Sequence, residues 1–506
     1  MHNITFRTAI SDKPHSFTEN GALSLSTTGS ARVNLFFKLT RDAYINSLFY
    51  NWIESSWNED PLDTMKTLFH GRDARGGKGD RKSFIMAMGY IYSKHYDWWK
   101  ANIEIVPIYG RYLDLIELYV VDNNLTIANI ICEQLKKDLD DMNNGKSISL
   151  LAKWIPSEGK KWNRKNNILG DICRILFKVK DYDIINNWHY KELRTKYLTP
   201  LRAYLNIVES YMCSGRWEDI DFSKVPSVAM HRLKNAFARN AHDAFTEWKK
   251  KLIKGQVKVN SSQIDIHKLV KQCMVLHSQD EVIEAQWKDI LTKTKALGTL
   301  ENTIVLSDVS GSMDGTPMEV SIALGILISS ITAEPFKNTI ITFSESPTVH
   351  IIPEDYETLF DKVNSVKNMS WGYNTDLNAV FTLILDRAIH YNLSQDTMPK
   401  RIIILSDMQF DEAVGLCDNS KTIFDEIDNM YLQAGFKRPD IVFWNLRSNT
   451  TSDFPVEYTT NGVALVSGYN VSIIKSLLES DNFTPYNVYR NIIDNPRYDL
   501  IKSPSE

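Results

Sequence analysis

Cysteine is scarce in this chain and widely dispersed. Cys132, Cys173, Cys213, Cys273 and Cys417 form no Cys-x-x-Cys pair, which argues against a thiolate zinc site or a disulfide framework and suits a reducing compartment. Long apolar runs are also missing. None approaches the roughly 18 residues that would span a bilayer, and Met1 to Arg7 lacks the apolar core of a secretory signal. Together these absences predict a cytoplasmic protein that engages no membrane. The histidines are scattered without His-x-x-x-His spacing, so an imidazole-built transition-metal site is not expected.

What is present describes a soluble globular protein of more than one domain. The chain has 506 residues, 43% hydrophobic and 24% charged, and exceeds what a single core usually serves. Its net charge of −4 divides unevenly: residues 301–506 carry 14 basic against 28 acidic side chains, and the first 300 residues carry 44 against 34. A basic first part meets a polyanion or simply solvates lysine-rich helix faces.

Residues 1–30 are polar and read as a loose or partly extended arm. Across 31–298 apolar residues recur at three and four, as in Leu48, Trp52, Ile53 and Phe84, Met88, Ile91, Tyr92. That spacing predicts an all-α, helical-repeat-like domain. From 299 to 506 strand-like and helix-like stretches alternate. Strands are expected at 303–306, 339–343, 348–352, 401–405, 440–444 and 463–466, with 348–352 as an antiparallel edge. The fold class is therefore α plus α/β, with a doubly wound C-terminal sheet.

Three loops of this second half carry oxygen ligands. Ile304 to Met313 is an apolar run ending in Asp308-Val-Ser310-Gly-Ser312. Gly372-Tyr-Asn-Thr375-Asp376 precedes a predicted helix, and Arg401 to Asp407 is a second apolar run ending in Ser-Asp. The carboxyl ends of parallel strands face the ligand crevice of an open α/β sheet, and carboxylates with hydroxyls suit a hard divalent cation. An ordinary Ser/Gly turn with aspartate helix caps is the alternative. This pattern resembles the von Willebrand factor A fold and its metal ion-dependent adhesion site. The resemblance implies Asp308, Ser310, Ser312, Thr375 and Asp407 as metal ligands, with Mg²⁺ the expected ion and Mn²⁺ or Ca²⁺ as substitutes. Asp376 is expected to cap the helix that follows it.

In the first half, Phe69 to Lys82 combines four glycines with Arg72, Arg75, Lys78, Arg81 and Lys82 just before a predicted helix. A helix start favours anions, so these cations are candidate phosphate contacts. The loop is not a Walker P-loop, because Gly79 follows Lys78. Equally, Asp80 can cap the helix while Asp73 pairs with arginines. Further on, His231 to Arg239 puts Arg232 and Arg239 on one helical side, and Lys249, Lys250, Lys251, Lys254 and Lys258 follow. These suit RNA phosphates or a solvated helix face.

Arg72-Asp-Ala-Arg-Gly-Gly-Lys-Gly-Asp-Arg81, with Tyr109 to Leu115 and Ala152 to Gly159, resembles the DUF2828 family over about residues 20 to 490. More remotely, helices followed by an A domain are similar to the TROVE-domain Ro ribonucleoprotein, which implies a grip on single-stranded or structured RNA. The metal loops lack a recognisable nucleophile and base pair. The expectation is a non-enzymatic binding or scaffold protein. It would bind RNA through the helical domain or capture a partner's carboxylate at the metal, and a Mg²⁺-dependent phosphoesterase is the third alternative.

Overall fold

The computed structural model describes residues 15–122, 125–159, 166–180, 182–342, 347–367, 369, 376–410, 423–447, 453–478 and 483–504. Among them the C-terminal half forms a six-stranded sheet of β3 (Thr303–Ser307), β4 (Thr339–Thr342), β5 (Thr348–Ile351), β6 (Arg401–Ser406), β7 (Asp440–Asn445) and β8 (Val463–Ser467). The strand order is β5-β4-β3-β6-β7-β8, parallel throughout except for the antiparallel edge strand β5. The interior strands are largely apolar and buried on both faces, as a sheet covered by helices requires. By contrast, β5 exposes Val349 and Ile351.

Helix Thr316–Ile331 is buried almost all round from Val320 to Ile331. It lies against β3 on one side and helix Ile266–Val275 on another, which is why its sequence shows no polar face. Its approach to the strand depends on Gly325, where a Cβ would collide with the Ser307 hydroxyl.

Between Ala31 and Lys295 the described residues hold helices and no strand. The hydrophobic cores nonetheless cut across the sequence boundary near residue 298. Leu269, Val270, Trp287 and Ile290, from the last two helices of this region, share a core with the sheet. Residues 220–259 contribute a small core of their own, and Tyr498 and Ile501 return to the core of residues 35–205. Nor is all of the N-terminal arm loose. β1 (His15–Phe17) and β2 (Leu23–Leu25) form an antiparallel pair, and Leu25 exchanges two backbone hydrogen bonds with Phe454 at 2.8 and 2.9 Å. Its serines and threonines hid this seat, because they bond to distant partners instead of forming an apolar stripe. Ser16 bonds Asp453 at 2.7 Å, and Thr18 donates to the Phe410 carbonyl at 2.7 Å.

No helix among the described residues is long and apolar enough to cross a membrane.

Candidate metal centre

β3 and β6 are adjacent and parallel, with Ser307 beside Leu405, so the residues following each strand emerge together at the sheet's carboxyl edge. The Asp308 N–H donates to the Leu405 carbonyl at 3.0 Å, extending the ladder by one step. Asp308 and Asp407 thereby become near neighbours despite their separation in sequence. Both are buried, at 0% and 1% exposure.

Their hydrogen bonds hold the loop in place. Asp308 Oδ1 accepts from the Ser310 N–H at 2.9 Å, and Oδ2 accepts from the Ser406 hydroxyl at 2.6 Å. Ser406 Oγ in turn accepts from the Met408 N–H at 3.0 Å. Met408 takes φ of +68°, a left-handed conformation that a non-glycine side chain adopts only under local constraint. The Ser310 and Ser312 hydroxyls lie 3.0 Å apart, Ser310 just before and Ser312 within the single turn Gly311–Met313.

Asp407 Oδ1 accepts from the Gln409 N–H at 3.2 Å, whereas Oδ2 is buried with no hydrogen-bond partner. A buried carboxylate oxygen left unpaired is unfavourable by about 1–3 kcal/mol or more. Burial and the nearby Asp407 charge raise Asp308 to about 6. Burial likewise raises Asp407, against the pull of the Ser312 hydroxyl and the Arg447 guanidinium. Two carboxylates that burial drives toward protonation, one with an orphaned oxygen, form a donor set that a hard cation would satisfy.

Four of the five expected ligands, Asp308, Ser310, Ser312 and Asp407, thus gather at one edge. Thr375 lies outside the described residues. Asp376 caps helix Leu377–His390 through the Ala379 N–H at 2.9 Å, as expected. No group of three or more His, Cys, Asp or Glu side chains forms a cage among the described residues, so hydroxyls are needed to complete this site. Two contributors escaped the sequence reading. Ser406 braces Asp308, a role its place in the Ser-Asp strand end could have suggested. Arg447, two residues past β7, donates to the Ser312 carbonyl.

The glycine-rich basic loop is a different kind of structure, and it corrects the phosphate reading for most of its cations. Lys78 is 3% exposed, and its three ammonium donors meet the Phe36 carbonyl, the Leu39 carbonyl at 3.0 Å and Ser467 Oγ at 2.7 Å. Burial pulls its pKa well below the ordinary lysine value. Gly468 lets the Lys78 stem lie close, since a Cβ there would stand 3.2 Å from it. Arg72 is buried against Asp114 at 2.6 Å, and Arg81 pairs with Asp114 and Glu117 at 2.6 and 2.5 Å. Inward placement removes Arg72 and Lys78 from any external phosphate, and Arg81 spans Asp114 and Glu117. Asp80 Oδ1 accepts from the Lys82 N–H at 3.1 Å at the next helix start, and Asp73 binds Arg497. Arg75 is exposed, and exposed Lys82 reaches Asp42 only at 3.7 Å. On helix Ser227–Asn240, Arg232 and Arg239 are exposed while Phe237 is buried.

Residues 302–495 match the family described as Domain of unknown function (DUF7788), and residues 18–110 and 122–300 match Domain of unknown function (DUF2828). The chain is also similar to "Uncharacterized protein L728" of Acanthamoeba polyphaga mimivirus, 31% identical over 513 residues, covering 95% of this chain and 87% of that protein. With more than half of its length in the second match and a relative of this extent, the chain belongs to the DUF2828 family.

Proposed function

We propose that this is a non-enzymatic binding protein whose α/β part is a von Willebrand factor A-like domain, using a divalent cation to capture a carboxylate or phosphate of a partner. Asp308, Ser310, Ser312, Thr375 and Asp407 would hold the ion, with Mg²⁺ preferred and Mn²⁺ or Ca²⁺ as substitutes. When bound, the ion supplies a positive point charge with a coordination position open to an outside oxygen. The chain's own part is to deliver two carboxylates already desolvated and fixed. Ser406 holds Asp308 in orientation, and Arg447 adds positive charge beside Asp407. The observation that carries this reading is the meeting of two buried carboxylates, Asp308 and Asp407, at the sheet's carboxyl edge beside the Ser310 and Ser312 hydroxyls. Against chemistry at this site, the Ser310 and Ser312 hydroxyls pair with each other, and no His or Lys is hydrogen-bonded to either among the described residues.

Isothermal titration of the full chain with Mg²⁺ and Mn²⁺ tests it. One ion should bind per chain, Asp308→Ala should abolish binding, and partners retained from the native cell should be released by EDTA. Failure to bind either ion would sink the reading.

Exposed Arg232 and Arg239 favour a second reading, in which the helical region binds RNA phosphates in a Ro-like manner. RNA affinity would then fall steeply with salt and survive Asp308→Ala.

A further inference from the structure

A cleft of about 850 Å³ lies where the glycine-rich loop, the last helices before the sheet, and the C-terminal segment meet. Its volume is in the range of small-molecule sites. Four cations line it from four distant stretches of chain: Arg75, Lys293, Lys475 and Arg497. The acid on the lining, Asp494, is already paired with Arg490 at 2.5 Å. Three of the four are engaged within the chain: Lys293 pairs with Asp289 at 2.5 Å, Arg497 with the buried Asp73, and Lys475 also has an interaction of its own. Arg75 has no carboxylate partner among the described residues; its Nη1 donates to the Ile108 carbonyl at 2.8 Å. The remaining wall includes the buried Ile266, Ile290 and Ile492.

A cleft lined by one sign of charge on low-dielectric walls concentrates ions of the other sign. Converging guanidinium and ammonium groups suit phosphate oxygens, with the planar fork of arginine adding paired hydrogen bonds. The isoleucine wall would accept a ring or a short aliphatic body. A nucleic-acid polymer needs a continuous track for successive phosphates, whereas the cations here line a single cleft. We propose that it binds a phosphorylated small molecule of nucleotide size, its phosphates held by the four cations and its body by the isoleucines.

The site is independent of the metal centre, so the test is run on the full chain in EDTA. Nucleoside mono- and triphosphates, a sugar phosphate, inorganic phosphate and unphosphorylated adenosine are titrated calorimetrically. At least one nucleotide or the sugar phosphate should bind with Kd below about 1 mM, and adenosine should not. Arg75→Ala and Lys475→Ala should each weaken that binding about fivefold or more. Lys475 is an exposed helical position, so its variant retains the fold even if Arg75→Ala does not. The proposal is overturned if no phosphorylated member of the panel binds, or if binding ignores both substitutions. It is equally overturned if short single-stranded RNA alone binds with this dependence on Arg75 and Lys475.

Discussion

The loop from His70 to Lys82 and the loop from Asp308 to Met313 look alike as text. Each mixes glycine with several groups of one charge or chemistry and runs into a helix. Folding separates them. Around Lys78 every ammonium donor finds an oxygen of the chain itself, and Arg72 and Asp114 neutralise each other in the interior. Beside Asp308 two carboxylates share a buried edge and Asp407 Oδ2 finds no partner. Neither loop is fully satisfied, since His70 Nε2 and Asp80 Oδ2 are also buried without a hydrogen-bond partner; what differs is that opposite charges meet in the first and two like charges meet in the second. Loop composition cannot tell these cases apart. The signs of the charges that folding brings together can.

The largest expected effect tests the first loop. Lys78→Ala leaves the Leu39 carbonyl buried without a side-chain donor and takes one partner each from the Phe36 carbonyl and the Ser467 hydroxyl, and should destabilise the protein by about 3 kcal/mol or more in chemical denaturation. Little loss would mean that Lys78 is not the strut described.

The second loop should respond with the opposite sign. Asp308→Asn removes a buried charge beside Asp407, so the metal-free protein should gain roughly 2 kcal/mol near neutral pH, read from denaturation in EDTA. The same logic fixes the pH dependence. Asp308 has its pKa raised to about 6 by burial and by Asp407, so the folded state holds this proton more tightly than the unfolded state. Metal-free stability should therefore fall as pH climbs from about 4 through about 6. Metal affinity should rise over the same span, because the ion needs the ionised form. Melting curves with EDTA and with Mg²⁺, taken below and above this window, check both. Parallel curves would break the contrast.

The smallest effect sharpens it. Ser406→Ala keeps both aspartates but frees Asp308 to turn, and should weaken Mn²⁺ binding by about tenfold with the fold intact.

Much of the sheet was legible because each central strand is a short apolar run buried on both faces. The strand-end aspartates were legible for the same reason: an apolar run that stops at aspartate marks where the sheet opens. Other features depend on partners far along the chain. Lys78 reads as a surface cation until residues 36, 39 and 467 are brought to it. The periodicity of Ile266–Val275 reveals an apolar face but not that helix Thr316–Ile331 would cover it. Ser16 and Thr18 look like linker residues because their acceptors lie 437 and 392 positions away.

That last pairing bears on how the molecule is made. The β1–β2 hairpin leaves the ribosome early, yet its seat at Phe410 and Phe454 does not exist until some four hundred more residues have followed. At synthesis rates of about 5–20 residues per second, the hairpin waits roughly 20 to 90 seconds for its dock. Helices 266–295 likewise wait for the sheet that shares their core. Cutting the gene near residue 300 would thus yield two halves that each expose apolar surface intended for the other, and coexpressing them is the way to recover either.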